Sequence, residues 1–102
     1  MHINNLTEVQ LEVLGLLQEE AAELIQELSK VRRNGTDFKR HSKDVTNIQH
    51  VGRELVDLQI LIDIAAYAGL FDKVEDLTSY TVDKKERLKT WTNLPNSIIE
   101  SI

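Results

Sequence analysis

The chain has 102 residues, 41% apolar and 28% charged, with a formal net charge of −5 and no cysteine. Disulfides and thiolate metal sites are excluded, and the acidic balance argues against a nucleic-acid partner, whose backbone needs a basic face. The length sets the expectation of a single domain over 1–102 with a modest core.

At the N-terminus, Met1-His2-Ile3-Asn4-Asn5 has neither a basic stretch nor an apolar one, so no signal peptide is expected. Thr7-Glu8-Val9-Gln10 has the form of a capping box and predicts a helix from Thr7 to about Arg33. Its seam reads Leu14, Leu17, Ala21, Leu24, Leu28 and Val31, alternating threes and fours. A second stripe runs beside it: Val13, Leu16, Glu20, Glu23 and Glu27. A polar connector, Asn34 to Val45, follows.

Thr46-Asn47-Ile48-Gln49 repeats the capping-box form and opens helix two. Its seam is Ile48, Val51, Leu55, Leu58, Ile62 and Ala65, and its neighbouring stripe is His50, Glu54, Asp57, Leu61 and Ile64. Leu58 to Phe71 is the richest apolar stretch, but Gln59 and Asp63 interrupt it, so no membrane span and no membrane partner are expected. Ile60, Leu61, Ile64, Ala66 and Ala68 lie off the main seam. A helix apolar on several faces is covered on several faces. A partner chain is therefore expected, most simply in a symmetric dimer, the alternative being a monomer whose C-terminal tail folds back as the cover. Helix three is predicted from about Asp72 to Trp91, with the stripe Val74, Leu77, Thr81, Lys84, Leu88 and Trp91. The tail beyond Asn93 is expected to hold at most a short turn with Ile98, Ile99 and Ile102. The expected fold is thus all-α, an antiparallel bundle of three main helices per chain, completed to a four-helix type in a dimer.

The chemistry lies in the two acidic pairs, Glu20 with Glu23 and Glu54 with Asp57. Residues three apart share a helix face. In an antiparallel hairpin, Glu23 and Asp57 both fall about 15 Å from the connector, at ~1.5 Å per residue. Four facing carboxylates are costly without a positive charge between them, and a hard divalent cation such as Mg²⁺ prefers such oxygen ligands. Glu19 is more exposed and Glu27 could serve as outer shell. Lys84 lies on the apolar stripe of helix three, with Arg87 three residues on. Both suit an anionic ligand such as a phosphate chain, and both could instead neutralise the acids with no metal. Tyr80, Trp91, Tyr67 and Phe38 are aromatics in reach of a base, although Trp91 and Tyr67 are more often core residues. The histidines His2, His41 and His50 form no metal set, and no Glu-x-x-His pair supports a di-iron site.

The run Glu19-Glu20-x-x-Glu23 followed by Glu54-x-x-Asp57 resembles the signature of the MazG-like all-α nucleoside triphosphate pyrophosphohydrolases. Leu17 to Arg33 is similar to the first motif helix of phage and bacterial members, Glu54 to Asp63 to the second, and Val82 to Asn93 to the basic closing helix of small phage-type members. The resemblance covers roughly 6–94. The chain departs from the pattern in its long connector and in Arg53, which stands where many relatives carry another acid. The absence of cysteine fits a cytoplasmic location. The resemblance implies a hydrolase, a homodimer or homotetramer, that cleaves a nucleoside triphosphate, often a deoxynucleotide, to the monophosphate and pyrophosphate. It implies Mg²⁺, with Mn²⁺ as a substitute, on Glu20, Glu23, Glu54 and Asp57. Glu19 or Glu23 would be the general base, and Lys84, Arg87, Tyr80 and Trp91 would bind substrate. The alternative is a catalytically silent bundle that binds nucleotide or a protein partner and regulates.

Overall fold

The computed structural model describes residues 5–102 and contains four helices: α1 (Glu8–Asn34), α2 (Asn47–Tyr67), α3 (Thr78–Trp91) and α4 (Asn96–Glu100). No strand occurs among the described residues. None of the helices is long and apolar enough to cross a membrane. The chain divides into two compact units, one ending at Asp72 and one spanning Lys73–Ile102.

In the first unit, α1 begins where its capping box requires. Gln10 N donates to Thr7 Oγ1 at 3.1 Å and Thr7 N donates to Gln10 Oε1 at 3.0 Å. Only half of the box forms at α2: Gln49 N donates to Thr46 Oγ1 at 3.3 Å, with no return bond from the Gln49 side chain. The connector does the rest. Phe38 O accepts from Asn47 N at 2.8 Å and Thr36 O accepts from Ile48 N at 3.1 Å, so the first free amides of α2 are satisfied by the chain leading into it.

Two bonds define α1 and α2 as an antiparallel hairpin. Gln10 Nε2 donates to Ala68 O at 2.9 Å at one end, and Asn47 Nδ2 donates to Lys30 O at 3.4 Å at the other. Between those ends Val13, Leu17, Glu20, Leu24, Glu27 and Val31 on α1, and Asn47, Val51, Glu54, Leu58, Leu61 and Ala65 on α2, are buried or half-buried, and Leu14 and Ala21 are half-buried beside them. Both series alternate threes and fours, the spacing of a knobs-into-holes seam. Of the expected seam, Leu14, Leu17, Ala21, Leu24, Val31, Val51, Leu58 and Ala65 are buried or half-buried, and four positions are not. Leu28, Ile48, Leu55 and Ile62 are 47%, 45%, 51% and 37% exposed. The contact keeps the row of Leu17, Leu24, Val31, Val51, Leu58 and Ala65 and takes in Glu20, Glu27 and Glu54 from the neighbouring stripe. Val13, Val51 and Ala65 are the apolar residues of this unit that are buried outright, and Asn47, 1% exposed, is its buried polar group.

Helix α3 begins six residues later than its predicted start at Asp72. The chain leaves α2 through a Schellman turn, in which Leu70 N donates to Ala65 O at 3.0 Å and Gly69 N donates to Ala66 O at 3.1 Å. Gly69 has φ 79°, and a Cβ there would stand 2.9 Å from Asp72 Oδ2. Asp72 is thus folded against the turn and does not cap a helix. Asp76 does that work: its Oδ1 accepts from Thr78 N at 2.9 Å and from Thr78 Oγ1 at 2.6 Å. These bonds hold the Asp76 carboxyl below its ordinary pKa, against a smaller opposing effect of burial. Val74 and Leu77 therefore precede the helix. The tail forms α4, longer than the turn expected, and packs on α3 with Ile99 buried. Lys89 pairs with both Glu86 and Glu100, and Lys85 donates to the Ile102 carbonyl.

Candidate metal centre

The seam brings Glu20 and Glu23 of α1 to Glu54 of α2. One carboxylate oxygen from each lies within 4.8 Å of the other two. Glu20 and Glu54 are half-buried and Glu23 is exposed. Antiparallel pairing explains the meeting, because Gln10 opposite Ala68 and Lys30 opposite Asn47 put Leu24 opposite Glu54. Glu23 is one residue before that level and Glu20 one turn before it.

The electrostatics are those of crowded negative charge. Contact with Glu20 is the largest influence on Glu54, followed by burial and then by Glu23, and together they raise its pKa from 4.5 to about 7. One Oε2 of Glu20 and one of Glu54 are buried with no hydrogen-bond partner. A buried oxygen without a donor is costly. A proton on Glu54 relieves part of the repulsion, and a cation would relieve it more fully. Two orphaned oxygens facing a third carboxylate are the donor set a hard divalent ion accepts.

The other expected residues are distributed as follows. Asp57, one turn beyond Glu54, is exposed and stands outside the three-carboxylate group. It lines a shallow groove of about 340 Å³ on the outer side of α2, with Gln49, Gly52, Arg53 and Val56. Glu19 is exposed next to Glu20. Glu27 accepts from Lys30 at 3.0 Å through one oxygen, and its other oxygen is buried and unpartnered. His50 faces away from the carboxylates in its bonding: its Nε2 lies 2.8 Å from Asp44 Oδ1. Arg40 Nε donates to the other oxygen of Asp44 at 3.0 Å. Burial pushes the Asp44 pKa up, but the bonds from His50, Val45 N and Arg40 outweigh it and hold the carboxyl at about 2. Sequence reading passed over Arg40 and Asp44. Their spacing of four residues was the available signal, but the connector gave no reason to expect helical neighbours there.

In the second unit, Lys84, Arg87 and Trp91 line one groove of about 350 Å³ with Leu88 and Thr92. The Arg87 guanidinium lies 5.4 Å from the centre of the Tyr80 ring. All four expected ligand-binding residues thus lie together on α3. Trp91 is 81% exposed and Tyr67 96%, so the core role that their type favours is not theirs in this structure. Lys84 makes no ion pair or hydrogen bond among the described residues, unlike Lys85 and Lys89.

No protein-family model, no curated protein and no solved structure matches this chain.

Proposed function

We propose that the chain is a Mg²⁺-dependent nucleoside triphosphate pyrophosphohydrolase of the MazG-like kind, releasing the monophosphate and pyrophosphate. One observation carries the reading: three carboxylates from two helices converge, and two of them hold buried oxygens with no donor. Glu20, Glu23 and Glu54 would hold the ion, and Asp57, one turn beyond Glu54 on α2, would add a further oxygen. The ion would screen the phosphate charge and activate the attacking water. The protein's own groups do the rest. Glu23, exposed at the edge of the cluster, or Glu19 beside it would accept the proton of that water. The family resemblance assigns the phosphate chain and the leaving pyrophosphate to Lys84 and Arg87, which line their own groove on α3. Trp91 offers a flat apolar face to a base. The resemblance of Glu19–Glu23 and Glu54–Asp57 to the family signature supports the same reading.

The test is a panel of canonical and modified nucleoside triphosphates assayed for pyrophosphate with Mg²⁺ or Mn²⁺. Turnover lost in Glu54→Gln with helicity intact is the expected result. Full turnover in that variant rejects the assignment. Raised melting temperature with Mg²⁺ and a non-hydrolysable triphosphate, but no turnover of any substrate, identifies a binding protein instead.

A further inference from the structure

The carboxylate group is short of positive charge. Three carboxylates around one divalent ion keep a net negative charge, and a phosphate chain brings more of the same sign. Most cations of the hairpin are committed or remote. Lys30 pairs with Glu27, Arg40 of the connector pairs with Asp44, and Arg32 and Arg33 lie in the last turn of α1. Arg53, next to Glu54 in the chain, is exposed. Among the described residues it makes no ion pair or hydrogen bond, not even with Asp57 one turn on.

The surface around Arg53 is shaped as well as charged. Gln49, Gly52, Arg53, Val56 and Asp57 recur at threes and fours, share one face of α2 and line the groove of about 340 Å³. Gly52 is the position among them without a side chain, and a glycine inside a helix is destabilising relative to alanine. Nothing in the first unit requires it. Its φ is not positive, and a Cβ there would meet no atom within 4 Å. What the missing side chain supplies is room beside Arg53. Asp57 lines the groove and also shares a helix face with Glu54, so the groove adjoins the carboxylates.

We propose that this groove is a phosphate subsite, in which Arg53 holds one phosphate of a chain whose neighbouring phosphate sits on the ion at Glu20, Glu23 and Glu54. The guanidinium offers parallel N–H donors to two phosphate oxygens, and Gly52 lets that group approach the helix. The subsite rests on the metal reading of the carboxylates and names the class of ligand the ion accepts. That class is a chain of two or more phosphates, since a single phosphate on the ion would leave Arg53 unused.

Isothermal titration calorimetry on the full chain at saturating Mg²⁺ tests this with inorganic tripolyphosphate and, separately, with a non-hydrolysable nucleoside triphosphate. Arg53→Gln is expected to weaken tripolyphosphate binding roughly 10-fold or more, and Arg53→Lys by less. Arg33→Gln, which removes an equal charge from the end of α1, is expected to leave it unchanged. Gly52→Leu is expected to raise the melting temperature, because it replaces a helical glycine, and yet to weaken tripolyphosphate roughly 10-fold. Damage to the fold would lower both. Should Gly52→Leu unfold, the two arginine positions decide. The subsite is overturned by a wild-type chain that binds no tripolyphosphate, by equal losses in Arg53→Gln and Arg33→Gln, or by unchanged binding in a folded Gly52→Leu. A loss confined to the nucleoside triphosphate also overturns it, since the groove would then seat the base or sugar. Arg53-dependent binding without turnover of any triphosphate counts against the enzymatic reading alone.

Discussion

The two halves of the hairpin share one geometry and differ in what fills it. Towards the Gln10–Ala68 end, the seam holds Val13, Leu17, Leu61 and Ala65 and is apolar. Towards the connector it takes in Glu20, Glu27, Glu54 and Asn47 among the apolar Leu24, Val31, Val51 and Leu58. The same alternation of threes and fours runs through both. A seam position thus specifies contact, not chemistry. The apolar half holds the helices together, and the acidic half spends part of that stability on crowded charge. Such a local violation of the packing rules is where function is expected.

The largest expected effect separates the halves by activity. Glu20→Gln and Glu54→Gln should each lower pyrophosphate release at least ~100-fold, whereas Val13→Ala should leave turnover near wild type. Steady-state kinetics with Mg²⁺ makes the comparison. The contrast collapses if the apolar substitution is as damaging as the acidic ones.

Stability should show the opposite order. Val13→Ala removes buried methyl groups and should cost about 2 kcal/mol in urea unfolding. Glu54→Gln should cost nothing in metal-free buffer, since it removes a repelled charge. A large loss there would mean that the carboxylates are held by partners other than each other.

The pH dependence sharpens the difference further. The folded-state pKa of Glu54 is raised from 4.5 to about 7, so the native state binds its proton more tightly than the unfolded chain. Stability from this group is full below about pH 4.5 and is lost as pH rises through about 7. Metal-free melting temperature should therefore fall across that window, Glu54→Gln should flatten it, and Mg²⁺ at pH 8 should restore what was lost. Asp44 works in the other direction. Its pKa is lowered to about 2, so its contribution is present above its ordinary value of 3.8 and is lost as pH falls towards 2. The two limbs do not overlap, and Asp44→Asn should change only the acid one.

The smallest effect concerns the helix starts. Thr7→Ala breaks a reciprocal box and Thr46→Ala only half of one, with connector carbonyls still serving α2. Each should cost about 1 kcal/mol, with Thr7→Ala the larger, measured by thermal unfolding. Equal losses would mean that Phe38 O and Thr36 O add little to the start of α2.

Much of the fold was legible in the residues because its causes are local. Thr7 and Thr46 cap helices through bonds three residues long, and apolar periodicity along α1 and α2 states that both are helices. Glu20, Glu23 and Glu54 were legible as a converging set once antiparallel pairing was assumed. The start of α3 was misread because Asp72-Lys73-Val74-Glu75 has the letters of a cap, while Asp72 is engaged with the Gly69 turn.

What the sequence determined alone was the all-α class, the starts of α1 and α2, and which carboxylates lie on a common helix face. Only the tertiary structure decided which apolar row makes the intrachain contact. A helix with several apolar rows carries the same periodicity whichever row is buried, and the choice falls to the partner surface. That choice moved Glu20 and Glu54 into the seam, buried one oxygen of each, and left Leu55 and Ile62 facing outward.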